Sequence, residues 1–299
     1  MLNFSFIQTD AISWETEKGN KAHCFIARLD LIHPFISGNK YFKLKYNIEE
    51  AVKNKKGIIT MGGPFSNHLA ATAYACKEAG IASEGIVRGE INEPMNRTLQ
   101  FCTNHKMNLI SVQRKDYNRN TDAVQNIIQQ HPDFLFVPEG GDNANGEKGC
   151  TEIANHIRGF DSFTHICVAA GTGTTFRGIA QSAHQNQTCI AIPVLKIKDE
   201  EHQQFILNHL STKTQGIVTT MFNYSRNGYA KKDDILLSFM NRFYKETNVP
   251  LDFVYTGKLM MAISQMIDEK IINSAAKLLL LHTGGLQGNQ SLPDGTLHY

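Results

Sequence analysis

Short apolar runs alternate along the chain with stretches of helical periodicity. In the first half of the chain, this pattern predicts strands at 55–63, 82–89, 107–112 and 133–141, and helices at 66–80 and about 122–130. The 66–80 helix has a Ser-Asn pair at its start and a glycine at its end, which are ordinary start and stop signals. Strands that alternate with helices in this way are typical of βαβ units around a mostly parallel sheet.

A second series of the same kind follows. Residues 164–184 (THICVAAGTGTTFRGIAQSAH) predict a strand, a glycine-rich turn and a helix, and 189–195 and 277–285 predict further strands. The polar, glycine-rich segment GGDNANGEKG, near residue 150, lies between the two series and is the best candidate for a domain boundary. The pattern therefore predicts an α/β protein with two units.

Composition narrows the class of protein. The chain has 299 residues, 41% of them hydrophobic and 19% charged, with a net charge of +2, so it predicts a soluble globular protein of one large or two smaller domains and no nucleic-acid partner. No segment approaches the roughly 18 consecutive apolar residues of a membrane span. The six cysteines include no C-x-x-C pair, which argues against a disulfide framework and against zinc. We expect a cytoplasmic protein without a metal site or membrane contact.

Two glycine-containing turns come directly after predicted strands, where open α/β sheets place their ligand sites. In GGPFSNHLA, Ser66 and Asn67 would begin a helix whose free N–H groups favour a carboxylate, although the spacing alone favours a plain helix cap at either residue. In AAGTGTTFRG, glycines and threonines favour a single phosphate, although a plain strand-to-helix connection explains the turn as well. Phe176 stands where a dinucleotide motif would need its third glycine.

A third turn, LLLLHTGG, ends a strand that should be central and buried. His282 and Thr283 follow that strand, and DFVYTGKLM (252–260) brings Tyr255 and Thr256, so the two segments suggest the edges of one pocket. The alternative for His282 and Tyr255 is an ordinary core position. Near the N-terminus, SGNKYFKLKY places three lysines at short spacing, and on that decapeptide alone they are simply solvated charges.

Taken in order, RLD (28–30), SGNKYFKL, GGPFSNH, GTGTT, VYTGK and HTGG resemble the fold-type II pyridoxal-phosphate enzymes. Within them, the motifs are similar to the 1-aminocyclopropane-1-carboxylate deaminase / D-cysteine desulfhydrase family. The resemblance covers most of the chain and implies pyridoxal 5'-phosphate as cofactor, in the cleft between two open parallel-sheet domains. It implies a large domain from 1–43 and 151–299, a small domain from 44–150, and a homodimer.

The resemblance also implies a role for each matching residue. Lys40 would form the Schiff base with the cofactor aldehyde, and Lys43 would be a phosphate partner, while Lys45 keeps its reading as a surface charge. The other matching positions are the phosphate loop at Gly171, Thr172, Gly173, Thr174 and Thr175, Asn67 at the phenolic oxygen, Thr256 at the pyridine nitrogen, Ser66, Asn67 and His68 at the substrate carboxylate, and Ser66, Tyr229 and Tyr255 facing the substrate. Tyr224 lies close to Tyr229 in the sequence and competes with it for this assignment. A departure is Phe42, where the family usually has an arginine, and the substrate depends on its effect.

The residue at the pyridine nitrogen predicts the reaction. Ring-opening deaminases carry a glutamate there, which keeps the nitrogen protonated and the electron sink strong, whereas Thr256 offers only a neutral hydrogen bond. The resemblance therefore implies α,β-elimination from a small D-amino acid, with D-cysteine converted to pyruvate, ammonia and sulfide. The alternatives are deamination of 1-aminocyclopropane-1-carboxylate to 2-oxobutyrate, a non-catalytic cofactor-binding protein, and a dinucleotide-dependent oxidoreductase. The oxidoreductase lacks the acidic residue expected after the next strand, where AIPVLKIKDE has lysines first.

Overall fold

A computed structural model of the protein describes residues 6–195, 200–211, 214–225 and 228–299. The strands are β1 (Thr9–Glu15), β2 (Lys21–Arg28), β3 (Gly57–Gly62), β4 (Ser83–Arg88), β5 (Met107–Val112), β6 (Phe134–Val137), β7 (His165–Ala170), β8 (Thr188–Pro193), β9 (Ile217–Thr220) and β10 (Leu278–His282). The helices are α1 (Asn39–Lys53), α2 (Asn67–Ala79), α3 (Arg97–Asn104), α4 (Asp122–Gln130), α5 (Ala144–Thr151), α6 (Thr174–Gln181), α7 (Glu200–Ser211), α8 (Asp234–Thr247) and α9 (Thr256–Asp268).

The strands form two sheets, here called the small sheet and the large sheet. The small sheet has the order β5-β4-β3-β6 and is parallel throughout. The large sheet has the order β1-β2-β10-β7-β8-β9. It is parallel from β2 to β9, and β1 joins its edge antiparallel because a short turn with Gly19 at φ +77° folds β1 back along β2. The predicted parallel α/β architecture is confirmed, with this antiparallel edge as the difference.

The start and stop signals of the 66–80 helix act as expected. Ser66 accepts hydrogen bonds from the backbone N–H groups of His68 and Leu69, and so caps the N-terminus of α2. Gly80 ends the helix in the left-handed conformation at φ +68°, which glycine adopts without strain. Both ends of α2 are therefore set by the residues that mark them in the sequence.

The glycine-rich segment near residue 150 is largely helical. It forms α5, whose glycines allow close packing: a Cβ on Gly149 would lie 1.8 Å from the backbone oxygen of Phe42, and one on Gly146 would lie 2.1 Å from that of Gly141. The glycines that suggest a linker in the sequence are thus required by contact with α1 and with the turn after β6. The domain boundaries at 43/44 and 150/151 stay a prediction.

One hydrophobic cluster joins the two sheets. It contains Ile58 and Val137 from the small sheet, Ile166 and Leu279 from the large sheet, and Phe42 from α1 between them.

All six cysteines are buried and free, and burial raises the pKa of Cys24, Cys76, Cys102 and Cys189 to about 12, so these thiols are unreactive at neutral pH. Among the described residues, no helix is long and apolar enough to cross a membrane, and no acid, histidine and cysteine cluster could hold a metal.

Candidate active site

A cavity lies at the carboxyl ends of β3, β7 and β10, between the two sheets. The three turns singled out in the sequence meet there, together with the first turn of α1. Of the predicted site residues, those that line the cavity are Lys40, Lys43, Ser66, Asn67, His68, Gly171, Thr172, Gly173, Thr175, Tyr229 and Tyr255. Thr174 and Thr256 do not line it. Nearly all of the predicted site residues therefore lie together at the sheet edge where the parallel strands end.

Lys40 is in the first turn of α1, and this helix directly follows a glycine that the fold requires. Gly38 has φ +68°, and a Cβ there would lie 2.0 Å from the backbone oxygen of Thr283. The Lys40 Nζ donates to Asn39 Oδ1 at 2.8 Å, and Asn39 in turn donates to Thr175 Oγ1 at 2.8 Å. Burial, and then the nearby Lys43, lower the pKa of Lys40 to about 7. A large fraction of this amine is therefore neutral, and nucleophilic, at physiological pH.

The other two lysines of this segment have different environments. Lys43 is buried, its Nζ donates to the backbone oxygen of Gly140 at 2.9 Å, and burial lowers its pKa. Lys45 forms a half-exposed ion pair with Glu152 at 2.6 Å and does not line the cavity. The spacing along α1 thus turns Lys40 and Lys43 inward and leaves Lys45 at the surface.

The start of α2 presents two polar side-chain atoms without partners. Asn67 Oδ1 and His68 Nδ1 are buried, and no group among the described residues bonds to either atom. The Thr60 hydroxyl donates its proton to the backbone oxygen of Val137 at 2.7 Å, so it must accept the 2.9 Å hydrogen bond from His68 Nε2–H. Burial, and then Lys40 and Lys43, lower the pKa of His68 well below its usual range. His68 is therefore neutral, with its proton on Nε2 and a free lone pair on Nδ1.

The 171–175 turn leads into α6 with its backbone N–H groups uncapped. Gly173 is the N-cap at φ +84°, and no side chain caps the helix. The Thr174 hydroxyl at the helix start already uses its proton, which it donates to Asp142 Oδ1 at 2.6 Å, whereas the Thr175 oxygen accepts from Asn39. Backbone N–H groups, rather than the Thr174 hydroxyl, are thus the free donors of this turn.

Two tyrosines face the cavity from the large-sheet side. The Tyr255 hydroxyl lies 3.4 Å from that of Tyr229, and burial raises the pKa of both. Tyr224 instead donates to Glu269 at 2.5 Å and does not line the cavity. The geometry therefore favours Tyr229 over Tyr224 as the second cavity tyrosine.

Thr256 does not reach the cavity and bonds instead to Asp252, which does. Thr256 is fully buried and donates to Asp252 Oδ1 at 2.7 Å. Asp252 and Thr283 both line the cavity. Asp252 Oδ1 also accepts from Thr256 N, and its Oδ2 accepts from Val254 N and Tyr255 N, so each carboxylate oxygen holds two hydrogen bonds. The sequence signal for Asp252 was an acid just before a helix start, which reads as an ordinary cap.

Phe42, the departure from the family pattern, is fully buried in the hydrophobic cluster between the sheets and makes ring contacts with Tyr41 and His156. It does not line the cavity.

A buried cation at the 171–175 turn is Arg177 on α6, which donates to the backbone oxygen of Thr172. Sequence reasoning did not single out Arg177, since helical arginines are usually exposed.

Fold and site together define an α/β protein with a buried lysine of lowered pKa and an uncapped helix N-terminus in one cavity. Residues 7–284 match the family model described as pyridoxal-phosphate dependent enzyme, so the chain belongs to that family. It is 28% identical, over 90% of this chain and 74% of the relative, to the bifunctional D-cysteine desulfhydrase/1-aminocyclopropane-1-carboxylate deaminase, mitochondrial, of Arabidopsis thaliana. It is 24% identical, over 87% of this chain and 86% of the relative, to the D-cysteine desulfhydrase of Klebsiella pneumoniae.

The solved structures agree on the fold. An ACC deaminase homologue superposes with a TM-score of 0.76 over 95% of this chain and 93% of its own, at 22% identity. A serine racemase from Dictyostelium discoideum gives 0.61 over 93% of both chains, at 14% identity. The predicted fold-type II architecture and pyridoxal-phosphate dependence are confirmed, and the oxidoreductase alternative is set aside.

The residues present fit this cofactor. The uncapped start of α6 offers backbone donors to a phosphate, and the largely neutral Lys40 amine offers a nucleophile to an aldehyde. Asn67 lines the same cavity, and its side-chain Oδ1 is buried there without a partner among the described residues. A buried polar group without a partner costs about 1–3 kcal/mol, so Asn67 indicates that the cavity is shaped for a ligand.

Proposed function

We propose that the protein is a pyridoxal-phosphate dependent lyase that eliminates the β-substituent of a small D-amino acid, with D-cysteine the leading substrate. The observation that carries the proposal is Lys40, an amine with pKa lowered to about 7 in a cavity that also holds a helix N-terminus. The names of the two curated relatives support the substrate.

The cofactor would be held at three places. Lys40 would hold its aldehyde carbon, the 171–175 turn and Lys43 its phosphate, and Asn67 its phenolic oxygen. When bound, the cofactor supplies an electron sink for negative charge that develops at the substrate Cα. The two hydrogen bonds that link Lys40 to Asn39 and Asn39 to Thr175 would fix the position of the lysine relative to the phosphate turn.

The chain's own residues would bind the substrate and move its protons. The 66–68 turn would hold the substrate carboxylate through the Asn67 backbone N–H and the Ser66 hydroxyl, since Ser66 uses only its lone pairs in capping α2. Lys40, once free of the cofactor, would take the Cα proton on its Nζ. Tyr229 and Tyr255, whose raised pKa values leave them protonated at neutral pH, would donate hydrogen bonds toward the leaving group at Cβ.

The pyridine side of the cavity favours elimination over ring opening. On this proposal Asp252 would lie near the pyridine ring, and its oxygens are fully used by Thr256 and three backbone N–H groups. Because Thr256 does not reach the cavity, we assign the neutral hydrogen bond to the pyridine nitrogen to Thr283, which lines the cavity. A neutral partner leaves a weaker electron sink, which suffices when a good leaving group such as thiolate departs.

The test is a parallel incubation of the loaded protein with D-cysteine, L-cysteine and 1-aminocyclopropane-1-carboxylate. Pyruvate, sulfide and 2-oxobutyrate are measured, and Lys40→Ala serves as the inactive control. We expect pyruvate and sulfide from D-cysteine. Mainly 2-oxobutyrate from the cyclopropane substrate would reverse the assignment, and a cofactor absorbance band that no amino acid shifts would indicate a non-catalytic binder.

We also propose that the protein is a cytoplasmic homodimer with a large domain from 1–43 and 151–299 and a small domain from 44–150. The family resemblance supports the dimer, and the six free, buried cysteines suit a reducing compartment. The two sheets on either side of the cavity support the domain division, because closure of one toward the other would exclude water from the site. Analytical ultracentrifugation of the loaded protein tests the dimer.

A further inference from the structure

Arg177 on α6 has contacts that a surface arginine of a helix would not make. It is only 6% exposed, and its guanidinium donates in three directions: to Glu147 Oε2 at 2.7 Å, to Asp142 Oδ1 at 2.8 Å and to the backbone oxygen of Thr172 at 3.2 Å. The first two bonds tie α6 to α5 and to the turn after β6. The third reaches back into the phosphate turn itself.

The bond to Thr172 fixes the direction of one peptide group. In a planar trans peptide the C=O and the next N–H point to opposite sides, so a Thr172 carbonyl that faces Arg177 turns the Gly173 N–H away from it. Gly173 and Thr172 both line the cavity. The direction of the Thr172 carbonyl therefore decides whether the cavity receives a donor or an acceptor at this point.

Gly173 cannot make that choice alone. Its φ is +84°, and rotating the 172–173 peptide by half a turn would bring φ to the negative side, which glycine populates about as readily. A bond from outside the turn must therefore select one orientation. Among the described residues, Arg177 Nη1 is the group that donates to the Thr172 oxygen.

We propose that Arg177 is a positioning residue that holds the Thr172–Gly173 peptide with its N–H toward the cofactor phosphate and its carbonyl away from it. The inference rests on the proposed role of the 171–175 turn in binding that phosphate. Arg177 has a second consequence, because it pairs with Asp142 and Glu147 and so screens two carboxylates from the phosphate dianion. The two effects, peptide orientation and charge screening, can be separated by mutation.

The test compares the affinity for pyridoxal phosphate with that for pyridoxal, which lacks the phosphate. Dissociation constants are measured by absorbance for the wild type, Arg177→Met and the matched control Gln181→Met. Gln181 also donates to Glu147 from α6, but it has no bond to the turn. We expect Arg177→Met to weaken pyridoxal phosphate binding by about tenfold to a hundredfold, with pyridoxal affinity and the control unchanged. Equal losses for both ligands, or no loss, would overturn the inference.

Arg177→Met leaves the carboxylates of Asp142 and Glu147 without their cation, and the single variant could fail to fold for that reason. A triple variant, Arg177→Met with Asp142→Asn and Glu147→Gln, removes these two charges and can be measured in its place. We expect it to regain thermal stability while its preference for pyridoxal phosphate over pyridoxal stays low. Inorganic phosphate should also no longer protect the cofactor-free variant against thermal unfolding. If the triple variant recovers the phosphate preference, charge screening alone explains Arg177 and the positioning role is wrong. None of these measurements depends on the amino-acid substrate.

Discussion

Lys40 combines burial with a short hydrogen bond to a neighbouring amide, and its protonation should control how fast the protein captures its cofactor. Only the neutral amine attacks an aldehyde, and burial followed by Lys43 lowers the Lys40 pKa to about 7. A lysine with an ordinary pKa would instead become neutral only near pH 10.

The capture rate of pyridoxal phosphate by the cofactor-free protein should therefore rise about tenfold per pH unit below pH 7 and level off above it. Stopped-flow absorbance between pH 5.5 and 9 measures this rate. After borohydride reduction, mass spectrometry should find the cofactor on Lys40, and Lys40→Ala should show neither the absorbance band nor the adduct. A rate that still climbs tenfold per unit from pH 8 to 9, or an adduct on Lys43, contradicts the assignment.

At the scale of single elements, the N-terminus of α2 has two separable functions. The Ser66 oxygen accepts from two backbone N–H groups to stabilise the helix, and its hydroxyl proton remains available to a substrate carboxylate. α3 offers a natural comparison, because Asn96 caps it in the same way, at 2.9 Å to Thr98 N and 3.1 Å to Leu99 N, and does not line the active-site cavity.

Ser66→Ala and Asn96→Ala should each lower the free energy of unfolding by about 1 kcal/mol, the usual cost of a lost cap. Urea denaturation of both variants measures this. Only Ser66→Ala should also raise KM for the amino-acid substrate. Equal KM values in the two variants would mean that Ser66 is a cap and nothing more.

Element prediction from the sequence succeeded where periodicity and punctuation agree, as in α2 and β10. It failed where tertiary contact decides: α5 reads as a linker because its glycines look like loop residues, whereas Gly149 packs against Phe42 and Gly146 against Gly141. Thr256 shows the same limit within the site. Its neighbours in sequence place it beside the cavity, but the bond to Asp252 that turns it inward follows from the helix start and not from any motif.

At the scale of the whole molecule, two sheets share one core. The sequence pattern suggests two units, and the structure has two sheets, yet one hydrophobic cluster contains Ile58 and Val137 of the small sheet together with Ile166 and Leu279 of the large sheet. Separating the sheets would expose this apolar surface to water, at a cost of about 25 cal/mol for each Å². We therefore expect the two sheets to unfold together even without cofactor.

Two fluorescence probes can check this cooperativity. Trp14, the sole tryptophan, is buried against the large sheet and donates to Ser264 Oγ at 2.7 Å, so it reports on that part of the molecule. The variant Trp14→Phe/Phe101→Trp moves the probe to α3, which packs on the small sheet. In urea, both probes and far-UV circular dichroism should give coincident transitions. Pyridoxal phosphate at a hundred times its dissociation constant should stabilise both by about 2.7 kcal/mol, because its site takes residues from either sheet. If the Phe101→Trp signal is lost at lower urea than the Trp14 signal, the small sheet unfolds on its own, and the shared cluster does not couple the two units.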